Sequence, residues 1–331
     1  MKHLTILIPD KQMAFNTFAC VIGAYDIFKR ADQFWQEKGK KQLFKKMELA
    51  GESGLSAIHH GLLTIKPEVN INAIEQTDLI IIPAISHNFQ QPTVNNTALI
   101  DWLVAQYKNG AEIASMCTGA LILASTGLLD GKNCSIHWNA ADYLKRRFPK
   151  VIVKPDQLIT DEHGIYTNGG GYSFLNLLLY LIEKYYDRET AIYCAKIFQI
   201  EIDRQRQSAF TIFKGQRLHG DEVVEKAQDY LEDHFQEKIS IEELSQRLAV
   251  GRRSFDRRFI KATGNTPIEY LQRVKIESAK KAFETTRKNI NEVMYEVGYA
   301  DEKAFREVFR KITGMSPLDY KKKYNKEMVI E

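Results

Sequence analysis

Residues 255–270 read FDRRFIKATGNTPIEY, and residues 305–320 repeat the pattern as FREVFRKITGMSPLDY. Six of the identical positions define the pattern, and each is displaced by 50 residues: two phenylalanines, a Thr-Gly pair, a proline and a tyrosine. A constant offset at so many positions marks an internal repeat. Two copies with so long a period are too few for a solenoid. The pattern therefore predicts a tandem pair of small helical units.

The segments before the two phenylalanine pairs share a helix-start signal. Ser240 and Glu243 have the S-x-x-E spacing of a capping box, and an amphipathic run follows them. Asn289 and Glu292 form the equivalent cap in the second copy. Both copies are thus expected to begin with a short amphipathic helix.

Glycine interrupts each copy, at Gly251 and at Gly298, before the helix that carries the phenylalanines. Helix, short glycine-containing turn and helix is the order of a helix-turn-helix motif. The pattern predicts such units at about 240–264 and 289–314. A longer helix that begins at Pro267 is expected to join them, because proline suits the first turn of a helix.

The phenylalanine pairs also define which side chains face outward. Residues four apart share one face of a helix, so a buried Phe pair leaves the charged residues between its members exposed. Arginine can bind guanine edges or phosphates from such a face. A single basic helix would more often be only a solvated surface, but a doubled unit with matching caps favours DNA recognition. The residues predicted to contact DNA are Arg252, Arg253, Asp256, Arg257, Lys303, Arg306 and Glu307.

The distribution of charge supports this interpretation better than the net charge of +4 does. Residues 252–275 contain seven Lys/Arg against two acidic residues, whereas residues 221–243 contain nine acidic residues against two lysines. The repeat region is therefore expected to have a basic surface and an acidic first helix.

Several of these residues resemble the AraC/XylS family of transcription regulators. The resemblance covers roughly residues 221–331 and rests on the Thr-Gly-x-x-Pro-x-x-Tyr run, its second copy, and Val297-Gly298-Tyr299. It implies two helix-turn-helix units that read successive major-groove segments of promoter DNA. Gly251 stands where the family often has serine, a change that costs a few tenths of a kcal/mol in capping.

The first part of the chain follows a different pattern, in which short apolar runs alternate with amphipathic stretches. This alternation predicts an α/β fold, a doubly wound, mostly parallel sheet, over residues 1–205. A polar linker is expected at 206–220, and the all-α DNA-binding domain at 221–331. The predicted strands are 4–8, 79–82 and 112–115, and the predicted helices are 15–28, 94–108, 119–129, 139–147 and 172–186.

The four cysteines show no spacing typical of a disulfide framework or a metal site, so the sequence predicts neither a metal nor a cofactor. The chain starts directly with an expected strand rather than a signal peptide. Apolar runs stay well short of the ~20 residues that span a bilayer. We therefore expect a cytoplasmic, nucleoid-associated protein that does not enter a membrane.

Cys117 lies where a predicted strand ends and small residues open an apolar helix. This is the layout of a nucleophile elbow with cysteine in place of serine. A helix amino terminus favours the thiolate, so a lowered pKa and a reactive Cys117 are expected. His137 could act as its base if the fold joins them. The alternative is a small core cysteine and an ordinary polar histidine.

The stretches around Cys117, His137 and residues 165–171 resemble the PfpI/ThiJ-like domain of the class I glutamine amidotransferase-like superfamily, over about residues 3–205. The resemblance implies a flavodoxin-like fold, a ligand pocket at the cysteine and pairing through this domain. The pocket residues it implies are Gln12, Cys117, Thr118, His137 and Gly170. Enzymatic members place a glutamate near the cysteine, but residues 9–14 contain none, and Ala84-Ile85 replaces a usual Gly-Gly turn.

Together these features favour a one-component transcription regulator that senses a small metabolite through a catalytically inactive domain. Its expected partners are double-stranded promoter DNA, an unidentified small-molecule effector, a second copy of the chain and RNA polymerase. The main alternative is a Cys-dependent hydrolase or aldehyde-handling enzyme with a DNA-binding tail. A third is an architectural DNA-binding protein without a ligand.

Overall fold

One central sheet organises the amino-terminal part of the chain, and helices form the carboxy-terminal part. The computed structural model describes residues 2–9, 15–52, 56–58, 63–85, 97–217 and 219–325. The chain divides into two units, Met1–Gln207 and Ser208–Glu331, which we call unit 1 and unit 2. None of the helices in the described ranges is long and apolar enough to cross a membrane.

Unit 1 alternates strands and helices along the chain. Its elements are β1 (Lys2–Leu7), α1 (Phe15–Glu37), β2 (Phe44–Gly51), β3 (Ser56–Ile58), β4 (Leu63–Ile65), β5 (Val69–Asn70), β6 (Leu79–Ile82), α2 (Thr97–Lys108), β7 (Glu112–Ser115), α3 (Ala120–Ser125), β8 (Asn133–Cys134), α4 (Ala141–Arg147), β9 (Ile152–Val153), β10 (Ile159–Glu162), β11 (Ile165–Asn168), α5 (Phe174–Tyr185) and α6 (Arg188–Phe198).

The seven-stranded sheet has the order β10-β11-β7-β6-β1-β2-β5. All of its pairings are parallel except that of β10 with β11, which is antiparallel. Helices cover both faces: Leu4 and Ile6 of β1 pack with α1, α5 and α6, whereas Ile80 and Ile82 of β6 pack with α2, α3 and α4. A parallel sheet buried on two faces explains the continuous apolar runs, and the predicted doubly wound fold is confirmed.

The predicted strands 79–82 and 112–115 match β6 and β7, but other bounds differ. Charged residues in β2 break the apolar pattern, so this strand was not predicted from the sequence. Helix α1 continues to Glu37 instead of ending at residue 28. Helix α3 ends at Ser125, short of residue 129, because Gly127 adopts a φ of 76°. The start of the predicted helix 94–108 lies partly outside the described residues.

Unit 2 is helical. Its elements are α7 (Glu222–Asp233), α8 (Ile241–Arg247), α9 (Arg252–Thr263), α10 (Pro267–Thr285), α11 (Ile290–Glu296), α12 (Glu302–Thr313) and α13 (Pro317–Tyr324). Pairs α8–α9 and α11–α12 are the two predicted helix-turn-helix units.

Each helix-turn-helix unit has its own aromatic core. In the first, Phe255 and Phe259 are fully buried with Tyr270, and in the second their counterparts are Phe305, Phe309 and Tyr320. Helix α10 joins the units and begins at Pro267, as predicted, with a capping box formed by Thr266 and Glu269. The repeated residues are therefore the buried positions that each unit needs.

The predicted linker 206–220 makes many contacts. Gln207 is buried and donates to the carbonyl oxygen of Ile136 at 2.8 Å. In unit 2, the backbone N–H of Phe213 donates to Glu277 at 3.1 Å, and Arg217 forms an ion pair with Glu232 at 2.7 Å. Side chains and backbone of this segment therefore bind to folded elements on either side of it.

Candidate ligand pocket and nucleic-acid interface

The chain makes a sharp turn where β7 leads into the short helices around Cys117. Cys117 has a φ of 54°, a left-handed conformation that costs ~1–3 kcal/mol for a residue other than glycine. Gly119 follows in a tight space, because a Cβ there would lie 2.5 Å from the carbonyl oxygen of Pro83. The turn thus has the strained strand-to-helix geometry expected of a nucleophile elbow.

Gly170 brings the predicted pocket residues together. A Cβ on Gly170 would lie 2.8 Å from Sγ of Cys117 and 2.7 Å from Cδ2 of His137. The backbone N–H of Gly170 donates to the side chain of Asn168 at 3.0 Å, which orders the turn after β11. Cys117, His137 and Gly170 therefore lie side by side in the fold.

Thr118 and His137 use their polar atoms to support the backbone. The Thr118 hydroxyl donates to the carbonyl oxygen of Ile85 at 2.7 Å and accepts from the Ile85 N–H at 2.9 Å. His137 Nδ1 accepts from the backbone N–H of Asn139 at 3.2 Å. A neutral imidazole that accepts at Nδ1 carries its proton on Nε2. Thr118 therefore supports the elbow, and His137 caps the turn at Trp138–Ala140.

The Cys117 thiol does not have the lowered pKa that the elbow layout predicted. Burial raises its pKa, and the N–H groups of Gly171 and Thr118 and the Thr118 hydroxyl lower it by less. The residue is 1% exposed, and α3 has only six residues, so its dipole is small. The prediction was wrong because desolvation of the thiolate outweighs the helix terminus.

A cavity of about 70 Å³ lies beside the thiol. It is lined by Asn16, Ala19, Cys20, Ala84, Cys117, Gly171, Tyr172 and Phe174. This described lining contains no carboxylate, and neither Thr118 nor His137 belongs to it. Gln12 lies outside the described residues. Within the described ranges no group of three or more acidic, histidine or cysteine side chains could hold a metal ion.

Helix α9 presents the first set of predicted DNA-contact residues. Arg253 and Arg257 are exposed on the face opposite the buried phenylalanines. Arg252 is half-buried and forms an ion pair with Asp256 at 3.0 Å. Arg258, which the sequence analysis did not select, pairs with Asp221 at the start of α7. The exposed pair Arg253 and Arg257 is therefore the accessible part of this set.

Helix α12 presents the second set. Lys303, Arg306 and Glu307 are exposed, as their spacing predicts. The Arg306 guanidinium forms an ion pair with Glu302 at 2.5 Å, one turn earlier in the helix. Glu302 was not predicted from the sequence, although its i,i+4 spacing to Arg306 is the signal for such a pair. Glu302 therefore orients Arg306.

Two contacts hold the second helix-turn-helix unit and α13 against α10. Lys275, 8% exposed, donates to the carbonyl oxygen of Gly298 at 3.0 Å, and burial lowers its pKa. The hydroxyl of Tyr320 donates to Glu284 at 2.5 Å. Beside the first helix-turn-helix unit, the Tyr270 hydroxyl makes the matching contact to Glu232 of α7. The tandem repeat thus includes the tyrosine–glutamate hydrogen bonds that hold each helix-turn-helix unit in place.

Comparison with known proteins agrees with both halves of this description. Residues 44–184 match the DJ-1/PfpI family, and residues 244–323 match a helix-turn-helix domain family. The HTH-type transcriptional regulator GbdR of Pseudomonas aeruginosa is 27% identical over 221 residues, which are 66% of this chain and 60% of GbdR. The match thus spans less than two thirds of that relative.

Two further likenesses cover more of the chain. The HTH-type transcriptional regulator CdhR of Pseudomonas aeruginosa is 24% identical over 277 residues, 83% of this chain and 81% of CdhR. A ThiJ/PfpI family protein from Pseudomonas syringae superposes with a TM-score of 0.50 at 16% identity, over 75% of this chain and 90% of that protein. The latter likeness concerns the fold alone. The chain carries a DJ-1/PfpI-type domain followed by an AraC-type helix-turn-helix domain, which confirms both resemblances.

Proposed function

We propose that this protein is a transcription regulator in which residues 221–331 bind promoter DNA and residues 1–205 bind a small metabolite without catalysis. The observation that carries the proposal is the repeated helix face of unit 2. On α9 and α12 the phenylalanine pairs are fully buried, while Arg253, Arg257, Lys303 and Arg306 are exposed. A helix with this division of faces can enter the major groove with its basic side chains toward the bases.

The experiment selects preferred sites from a random pool of double-stranded DNA with the full-length chain, and then measures affinity by fluorescence anisotropy. The double variant Arg253→Ala/Arg257→Ala is expected to lose the preference for the selected site over a scrambled one. The matched control is Lys145→Ala/Arg147→Ala, which removes two exposed charges from α4 in unit 1. Absence of any preferred sequence, or an equal loss in the control, would contradict the proposal.

The non-catalytic role of unit 1 is supported by the chemistry around Cys117. Burial keeps the thiol protonated, and the described lining of its cavity includes no carboxylate that could act as a base. The Thr118 hydroxyl is committed to the backbone of Ile85. A cysteine nucleophile reacts as the thiolate, so a buried and protonated thiol argues against catalysis at Cys117.

The alternative, a Cys-dependent hydrolase or aldehyde-handling enzyme, is tested by turnover. Product formation from amide and aldehyde substrates is followed by NMR with the wild type, Cys117→Ser and His137→Ala. We expect no turnover by any of them, and unchanged DNA affinity in both variants. Steady turnover by the wild type that disappears with Cys117→Ser would establish the enzyme.

We further propose that the protein acts in the cytoplasm as a homodimer paired through unit 1. Ligand binding would favour one arrangement of the dimer and thereby one spacing of DNA half-sites. RNA polymerase is the partner that such a regulator would affect. Separate cores in the two units support this division of roles.

A further inference from the structure

A larger cleft lies in unit 1 away from Cys117. It is enclosed by β10, α5, α6 and residues 202–205, and its volume is about 330 Å³. Sites for small organic ligands usually occupy ~300–1,000 Å³. The cavity beside Cys117, at about 70 Å³, is far below that range. By size alone, the cleft can hold a metabolite that the cavity cannot.

The walls of the cleft are mostly apolar. Leu179 and Ala191 are buried at its base, whereas Ile202 and Tyr180 are 38% and 37% exposed where it opens. Water therefore contacts large apolar side chains in a concave site. A ligand with an apolar body would cover this surface with a gain in free energy.

The charged groups of the cleft favour an anionic ligand. Among the described residues that line it, Arg188 and Arg204 carry guanidinium groups and Glu183 carries the carboxylate. Arg204 is partly buried, so its charge is less screened than a surface charge. The nearby Asp161 is already neutralised by Lys184 at 2.9 Å.

Glu183 is replaceable as the partner of Arg188. These two side chains form an ion pair at 2.5 Å, but they are 42% and 56% exposed. Solvent-exposed ion pairs contribute little to stability. A ligand carboxylate can take the place of Glu183, because a guanidinium group can donate two parallel hydrogen bonds to a carboxylate.

We propose that this cleft binds a small organic carboxylate with an apolar body, with Arg204 and Arg188 as donors to the carboxylate. This site is separate from the Cys117 cavity, and it does not depend on whether unit 2 binds DNA. Ligand class and location are therefore both testable on the full-length chain.

The probes are 3-phenylpropanoate and 4-methylpentanoate, each compared with its primary amide by isothermal calorimetry. The amides keep the shape and lose the charge, so they should bind about tenfold more weakly or worse. Arg204→Gln and Arg188→Gln should each weaken carboxylate binding by a similar factor. The control Arg147→Gln removes an exposed arginine of α4 outside the cleft and should change nothing.

Because Arg204 is partly buried, thermal melting of Arg204→Gln is compared with that of the wild type. If that variant unfolds, Ile202→Trp replaces it, since tryptophan at this exposed position fills the mouth of the cleft and keeps both arginines. Ile202→Trp should weaken carboxylate binding. Equal binding of carboxylates and amides, or no binding by any of the four probes, overturns the proposal. So does a loss with Cys117→Ser that the cleft variants do not show.

Discussion

Gly170 and Cys117 are so close that no side chain larger than hydrogen fits between them. A Cβ on Gly170 would lie 2.8 Å from the cysteine sulfur, and the glycine has a φ of 103° and a ψ of −172°. This backbone region is accessible essentially only to glycine. The turn after β11 therefore depends on glycine for two separate reasons.

Gly170→Ala is expected to lower the free energy of unfolding by about 2–5 kcal/mol, through backbone strain and overpacking. The matched control is Gly171→Ala. Gly171 also has a positive φ, of 59°, but a Cβ there would meet nothing within 4 Å. It should cost only ~1–2 kcal/mol. Urea denaturation measures both, and equal losses would show that contact with Cys117 is unimportant.

Cys117 should react slowly with iodoacetamide at pH 7. Burial raises its pKa and keeps the reactive thiolate scarce, so its rate should lie well below that of the same thiol in unfolded protein. Peptide mass spectrometry after timed alkylation gives the rate at each of the four cysteines. Rapid labelling of Cys117 that levels off below pH 8 would instead indicate a lowered pKa.

Stability should fall in alkaline solution because of the buried thiols. Burial raises the pKa of Cys20 and of Cys134 from 9.0 to about 12. Below pH 9 both states keep these protons, but above it the unfolded chain releases them and the folded chain does not. Between pH 9 and about 12 each thiol therefore lowers the free energy of unfolding by ~1.4 kcal/mol per pH unit.

Cys134→Ala removes one of these thiols, so the difference from the wild type measures its contribution. Its unfolding free energy, measured by urea denaturation, should decline less steeply than that of the wild type above pH 9 and run parallel to it at pH 7–8.5. Parallel curves over the whole range would mean that Cys134 titrates normally in the folded protein.

The two helix-turn-helix units should read two separate DNA segments. Arg253→Ala and Arg257→Ala are each expected to cost ~1–3 kcal/mol at one half of the site, where the contact is bidentate. Lys303→Ala and Arg306→Ala should act on a segment about 10 bp away. Competition binding with bases substituted one at a time maps the losses, and both sets acting on one segment would rule out tandem recognition.

Sedimentation should show pairing through unit 1. We expect the full-length chain and fragment 1–207 to be dimers and fragment 208–331 to be a monomer, since each unit has its own core. The sedimentation runs are repeated with 3-phenylpropanoate or 4-methylpentanoate at saturating concentration. A monomeric first fragment beside a dimeric second fragment would reverse the assignment.

The helical half of the molecule was predictable because its signals are local. A phenylalanine pair four residues apart shares a helix face whatever surrounds it, and Phe255 and Phe259 are buried as expected. Caps act over three residues, so the predicted role of Asn289 as a helix cap is confirmed. The Glu302–Arg306 ion pair was not predicted, although its i,i+4 spacing is an equally local signal.

The strands of the sheet were harder to predict from the sequence, because some of them are defined by pairing with distant residues. Strand β6 is uniformly apolar and most of β7 is buried, and both were predicted at their observed bounds. Strand β2 carries charged residues and is recognisable as a strand only through its pairing with β1. The same holds for the linker, where polar residues such as Arg217 find partners that are distant in the sequence.

The sequence by itself determined the two-domain composition, the tandem helical repeat, its exposed basic face and the presence of a cysteine at a strand-to-helix turn. The tertiary structure alone decided what that cysteine can do. Gly170 and His137 reach Cys117 from other strands and turns, and the sign of its pKa shift depends on how completely they exclude water. Helix dipoles and caps are set by neighbours in the chain, but desolvation is set by everything that packs around a group, and no local pattern encodes that sum.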